Sequence, residues 1–374
     1  MERNVNKLRS GLLPFFLLAF AGCGGGSDSA DLAGNPGERV DELFSDFSVP
    51  GSPGAVVSVI RSGEVVFAKG YGLAEVETGR VLSPTSPVRL GSVGKQFTSM
   101  AIMLLAERGD LAFDDLVSEW VPELRRFPGI RVSHLLRHTS GLPDYYQLPR
   151  EAFEEAAGID GDPLLTNEDA ITFYEEWGEP RFEPGERFEY SNPGYETLAL
   201  IVERISGQPF GEFLEEGVFR PLGMETAVVR SRPDVVIHDR AVGYRRNEEE
   251  GGWIENDDHF ANWLLGAGGI YASVDDLFLW DQALYTESLV GAETLDLAFA
   301  PTILNDGSTS EYGFGWNVGD RLGHRAVHHG GSWVGFRAAI LRFIDEATTV
   351  IVLSNASASA GELADEVAKV FLTN

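Results

Sequence analysis

Ser92-Val93-Gly94-Lys95-Gln96-Phe97-Thr98-Ser99-Met100-Ala101-Ile102-Met103-Leu104-Leu105 is the stretch on which the reading turns. Phe97, Met100, Ala101, Leu104 and Leu105 recur at helical intervals, and Arg108 with Gly109 supplies a stop, so the run predicts a helix that begins near Lys95. A hydroxyl at 92 and an amine at 95 then share one face of the helix start. The helix dipole and its unpaired N–H groups converge there and favour a developing oxyanion. A serine in that position becomes a nucleophile when the amine takes its proton, which requires the amine to be neutral. The only lysines are Lys7, Lys69, Lys95 and Lys369, whereas arginine is frequent. Position 95 therefore reads as one that needs an amine able to deprotonate, which a guanidinium cannot do.

The segments on either side of this helix set the fold class. Ala55 to Ile60 and Val65 to Lys69 are β-rich runs about Arg61-Ser62-Gly63-Glu64 and predict a hairpin. Arg337 to Phe343 and Thr348 to Ser354 predict a second strand pair about Asp345 and Glu346, and Glu362 to Leu372 a closing helix. Strands at both ends with helices between them imply an α/β protein whose antiparallel sheet is assembled from the two ends of the chain, with a mainly helical second lobe. Within that lobe Thr166 with Asp169 and Ser273 with Asp276 are capping boxes for helices reaching about Trp177 and Leu284. Tyr195, Leu198, Ala199, Val202 and Ile205 mark an amphipathic helix expected after a loop at Tyr190-Ser191-Asn192-Pro193.

Residues 1–22 read as an export signal: Arg3, Lys7 and Arg9 precede an apolar stretch from Gly11 to Ala21 that is too short to span a bilayer. Phe20-Ala21-Gly22-Cys23 resembles the cleavage box of bacterial lipoproteins, with Cys23 as the lipidated residue. Ordinary cleavage after Ala19-Phe20-Ala21 is the other reading. Cys23 is the single cysteine, so no intramolecular disulfide exists, and a glycine- and serine-rich tether covers 23–37. One folded unit, 38–374, is expected beyond it. The 374 residues are 43% hydrophobic, ample for a core, and the formal charge of −29 excludes nucleic acid as a partner. Membrane association is expected only through lipid on Cys23.

Two further groups stand out. Tyr190 and Asn192 are alternate residues of an extended loop and would face the same way; His328-His329-Gly330-Gly331 reads as a strand on which one imidazole enters a cleft while the glycines let a substrate backbone approach. A metal pair from His134 and His138 at i, i+4 lacks the intervening glutamate of a zincin, and no Gly-x-Ser-x-Gly elbow occurs.

The order of these groups, Ser92 with Lys95, Tyr190 with Asn192, then His329-Gly330-Gly331, resembles the serine β-lactamase and penicillin-recognising superfamily, in particular its class C β-lactamase, DD-peptidase and family VIII esterase branch. His134-Leu135-Leu136-Arg137-His138-Thr139-Ser140-Gly141-Leu142-Pro143, Tyr312-Gly313-Phe314-Gly315-Trp316 and Gly335-Phe336 resemble further signatures of that branch. The resemblance spans about Glu38 to Asn374. It implies that Ser92 is acylated, that Lys95 and Tyr190 share base and proton-shuttle duty, and that Asn192 orients substrate or the lysine. The N–H groups of Ser92 and Ser332 would form the oxyanion hole, and no cofactor or metal is implied. His329, with Gly331 and Ser332, would line the substrate strand, and His329 stands where class C β-lactamases carry lysine. Tyr145, Trp316 and Trp333 are candidates for an aromatic cleft. The expected activity is hydrolysis of an ester, a D-amino-acid peptide or a related acyl compound through an acyl-enzyme. A true β-lactamase and a penicillin-binding sensor without turnover are the alternatives.

Overall fold

The computed structural model describes residues 35–144, 151, 155, 165–176 and 178–372. The folded unit starts at Pro36, two residues before the sequence boundary. Proline is pre-set for the first position of a helix, and α1 (Pro36–Leu43) begins on it. Cys23 and the signal region, like Tyr145, lie outside the described residues.

β1 (Ala55–Arg61) and β2 (Glu64–Tyr71) form the expected hairpin. Its turn, Ser62-Gly63, has φ of 50° and 81°. That left-handed pair matches the twist of the two strands, and glycine takes the second position without strain. From the other end of the chain come β3 (Asn317–Arg321), β4 (His324–Trp333), β5 (Phe336–Phe343) and β6 (Thr348–Ser354). The sheet order is β3-β4-β5-β6-β1-β2, antiparallel throughout, with Ala55 opposite Ser354 and Arg61 opposite Thr348 where the two chain ends meet. β1 and β6 are buried on both faces, so their sequences are near-continuous apolar runs rather than alternating ones.

Odd and even residues of these strands enter different cores. Val57, Val59, Leu341, Val350 and Val352 pack with Phe44, just after α1, and with Val367, Val370 and Phe371 of the closing helix α5 (Ala360–Leu372). Val56, Ile60, Ile340, Ile351 and Leu353 face the helical lobe. The middle of that lobe is α2 (Lys95–Arg108), buried on all sides from Lys95 to Leu105 and ended by Gly109 at φ 76°. α3 (Asn192–Ser206) packs directly on it, Asn167–Glu176 packs on α3, and the Trp280 ring of α4 (Val274–Ala283) lies against Phe97. Both predicted capping boxes are formed: Thr166 with Asp169 and Ser273 with Asp276. A small sheet of Val88–Arg89, Ile270–Ala272 and Val228–Val229 joins the segment just before Ser92 to the lobe.

α3 starts two residues earlier than the proline suggested. Ser191 is the N-cap, with its side chain accepting from Gly194 N (3.2 Å), and Pro193 occupies the first turn, where its missing N–H has no intrahelical partner to lose. Asn192 is thus the first helical residue rather than part of the loop.

Candidate active site

Ser92 lies in a tight turn, Gly91–Gly94, continuous with α2, and this turn rests on β4. The contact is close enough to dictate two glycines. A Cβ on Gly331 would stand 1.9 Å from Leu90 O and 3.2 Å from Ser92 N, and one on Gly91 would stand 2.9 Å from Ser332 N. The missing side chain of Gly331 therefore makes room for the nucleophile's own turn, where a substrate backbone was expected. The same approach sets the backbone of Ser92 beside that of Ser332, and both residues line the cleft.

Lys95, fully buried, reaches back from the first residue of α2. Its Nζ is 2.8 Å from Asn192 Oδ1, 3.0 Å from Ala267 O and 3.2 Å from Ser92 Oγ. Two of these are carbonyl oxygens that can only accept. A neutral amine has two hydrogens and one lone pair, so with both hydrogens committed the lone pair is left for the serine hydroxyl. Burial lowers the Lys95 pKa from 10.5 to about 7, against opposing fields from Glu196 and Asp144. Glu196, buried on α3, is itself pushed well above the usual carboxylate range by desolvation and by Asp144, so it supplies little negative charge to hold a proton on the lysine.

Tyr190 precedes the extended Ser191, so Tyr190 and Asn192 converge on Lys95 as alternate residues even though Asn192 is helical. The Tyr190 ring centroid is 4.8 Å from Lys95 Nζ. Although 37% of the residue is accessible at the cleft mouth, desolvation raises its phenol well above 10, partly opposed by a hydrogen bond with Ser92. Of the two candidate bases the phenol is the one that stays protonated at neutral pH.

His138 holds this segment in place. Its Nδ1 accepts from Ser191 N (3.1 Å), its carbonyl accepts from Glu189 N (2.9 Å), and its ring lies 4.2 Å from that of Tyr190. The imidazole is buried and its pKa is depressed well below 6.5 by desolvation, with Lys95 and His329 adding to the effect. His134 accepts from Arg131 N (3.1 Å), so the two histidines serve different local structures. Among the described residues no group of three or more His, Cys, Asp or Glu is placed to hold a metal ion.

His329 enters the site and His328 faces away toward Arg321, as alternation along a strand demands. His329 Nδ1 lies 2.6 Å from Gly330 O, which can only accept, so Nδ1 carries the hydrogen. Nε2 then accepts from the Tyr312 hydroxyl at 3.0 Å. Both ring nitrogens are thus engaged by the protein, and burial with the nearby Lys95 lowers the pKa to about 3. Where a lysine would offer charge to a substrate carboxylate, this residue offers a neutral ring whose polar atoms are already used.

Trp333 lines a cavity of about 250 Å³ beside Ser92 and Asn192, and its Nε1 donates to Asn262 (2.6 Å). Trp316 lies in the core against Phe299 and does not reach the cleft. Sequence reasoning left Tyr312, Glu196 and the Ala267 carbonyl without roles. Tyr312 was quoted only as part of a signature, Glu196 sits where a helix surface residue would be unremarkable, and a backbone carbonyl carries no side-chain signal.

Comparison with known proteins identifies the family and the fold. The Beta-lactamase family model matches residues 40–373. The chain is 33% identical over 333 residues to penicillin-binding protein 4* of Bacillus subtilis, covering 86% of this chain and 72% of that protein. A D-aminopeptidase of Brucella anthropi is 27% identical over 321 residues, again 86% of this chain but 59% of that protein's length. The structure of an octameric penicillin-binding protein homologue from Pyrococcus abyssi superposes with a TM-score of 0.76 at 31% identity, covering 90% of this chain and 76% of that one. The fold and site define a serine hydrolase of the penicillin-recognising type. The chain belongs to the Beta-lactamase family.

Proposed function

We propose that Ser92 is the nucleophile and Lys95 its general base, in an enzyme that hydrolyses esters and amides of small acyl or D-amino-acyl groups. The observation that carries this reading is the Lys95 amine, whose two hydrogens are taken by Asn192 Oδ1 and Ala267 O while its remaining direction meets Ser92 Oγ. The Ser92 proton passes to Lys95 Nζ as Oγ attacks the carbonyl, and the N–H groups of Ser92 and Ser332 stabilise the oxyanion. Tyr190, protonated at neutral pH, gives its proton to the leaving group and is reprotonated from Lys95. The neutral amine then takes a proton from the water that attacks the acyl group and returns it to Ser92 Oγ as the acid departs, which restores both groups.

The neutral ring of His329 favours uncharged acyl donors over β-lactams, whose carboxylate would find no cation at position 329. The basic n-region, apolar stretch and Cys23 support an exported enzyme tethered through lipid on Cys23. The test is a panel of short p-nitrophenyl esters, a D-alanyl-D-alanine peptide and a chromogenic cephalosporin, each with Ser92→Ala as control. Ester or peptide turnover lost in Ser92→Ala supports the reading. Turnover surviving that substitution refutes it, and permanent labelling by a fluorescent penicillin without turnover of any substrate marks a sensor instead.

A further inference from the structure

Lys95 takes one of its two acceptors, Ala267 O, from a loop with little stiffness of its own. Leu265-Gly266-Ala267-Gly268-Gly269 has glycine at three of five positions, and Gly266 and Gly269 stand at φ 95° and 88°. Such a segment does not hold a carbonyl in one direction by itself. Contacts from outside the loop must do so, because the lone pair of the amine points at Ser92 Oγ only while both its hydrogens are engaged.

Downstream the loop is anchored by Gly269 O and Ile270 O, which accept from Arg230 N and Leu90 N, both at 2.9 Å. Upstream it is gripped by Asn167, the first residue of the helix Asn167–Glu176. Asn167 Oδ1 accepts from Leu265 N (2.8 Å), and its Nδ2 donates to Leu265 O (3.0 Å) and to Glu196 O of α3 (2.8 Å). The amide thus pairs with both backbone groups of Leu265, as a neighbouring strand would, and ties them to the helix that carries Asn192, the other acceptor of Lys95. Between this clamp and Ala267, Gly266 lies so close to α3 that a Cβ would stand 2.2 Å from Tyr195 O, and its carbonyl accepts from Thr98 Oγ1 at 2.7 Å. Asn167 lines neither the cavity nor the cleft at Ser92, so it meets the chemistry only through this backbone.

We infer that Asn167 is a positioning residue for the general base: its grip on Leu265 sets the direction of Ala267 O, and through it the direction of the Lys95 lone pair toward Ser92. This rests on the hydrolase reading above and deepens it, since both acceptors of the amine are then keyed to one helix, α3. With the clamp open the amine keeps only Asn192 Oδ1, and its second hydrogen is free to donate to Ser92 Oγ. A serine that accepts from the amine is not deprotonated by it, so the chemical step slows while the contacts of the substrate stay intact.

The test is steady-state hydrolysis of a short p-nitrophenyl ester at pH 7 and pH 9. Lys95 titrates at about 7, so at pH 9 the amine is neutral and kcat reads its placement rather than its charge. Asn167→Ala is expected to lower kcat by about 10- to 100-fold at both pH values, with KM changed by less than about twofold. Asn167→Asp still accepts from Leu265 N but sets a carboxylate against two carbonyls, so kcat falls as well; aspartate suits a helix N-terminus, which keeps this variant folded. Ile171→Ala removes a buried side chain from the same helix and is expected to lower Tm while kcat stays within about twofold of wild type. A kcat within about twofold of wild type in either Asn167 variant, a loss that vanishes at pH 9, a change confined to KM, or an equal loss of kcat in Ile171→Ala overturns the inference. The hydrolase reading is read out separately, as loss of all ester turnover in Ser92→Ala.

Discussion

Replacing Lys95 with methionine tests the lone-pair argument at its root, because the substitution should damage catalysis while relieving the fold. An amine whose ordinary pKa is 10.5 and which is held at about 7 lowers folding stability by about 5 kcal/mol at acid pH, each pKa unit being about 1.36 kcal/mol. The sign follows from proton counting. Between pH 7 and 10.5 the unfolded chain binds a proton that the folded protein does not, so the penalty is full below 7 and fades as the pH rises. Methionine fills a similar volume and removes the penalty, but it leaves Asn192 Oδ1 and Ala267 O without their donor, at about 1–3 kcal/mol each. The net change at pH 6 is therefore small or stabilising. The more decisive quantity is the gap between variant and wild type, which should move by about 3 kcal/mol against the variant from pH 6 to pH 9. Urea denaturation of both proteins at several pH values reads this gap, and ester turnover on the same samples should fall by about 10²–10⁴-fold, the range of a lost general base. A gap that stays constant across that pH range would mean that the amine is protonated in the folded protein, and the base assignment would fail with it.

The roles given to the other groups lead to separable outcomes. Tyr190→Phe removes the leaving-group proton donor but not the base, so kcat should fall by about 10²-fold or more for poor leaving groups and much less for p-nitrophenolate. The acid limb of its kcat/KM profile should still rise through a pH near 7, and a limb that disappears would transfer the base role to the phenol. Gly331→Ala places a methyl 1.9 Å from Leu90 O, which the turn before Ser92 can relieve only by leaving the strand. The expected result is a stability loss of about 1–3 kcal/mol with a fall in kcat for every substrate alike. A selective rise in KM for bulky substrates would restore the view that this glycine makes room for the ligand.

What the sequence made legible, and what it did not, divides along one physical line. The hairpin at Ser62-Gly63, the strand pair about Asp345 and Glu346, the capping boxes and the Ser92–Lys95 pairing are local: each depends on residues within a few positions of one another, where periodicity and turn chemistry act directly. The convergence of Tyr190 and Asn192 on Lys95 was legible only through the order of motifs, since nothing near residue 95 specifies a partner 97 positions away. Gly331 shows the limit most clearly. The absence of a side chain was plain in the sequence, but a vacancy next to a cleft does not say which backbone fills it, and here the protein's own turn does. His329 shows the complementary limit. Its identity announced that no lysine stood there, yet its effect is set by two contacts, Gly330 O within its own strand and the Tyr312 hydroxyl 17 positions upstream, which together use both nitrogens.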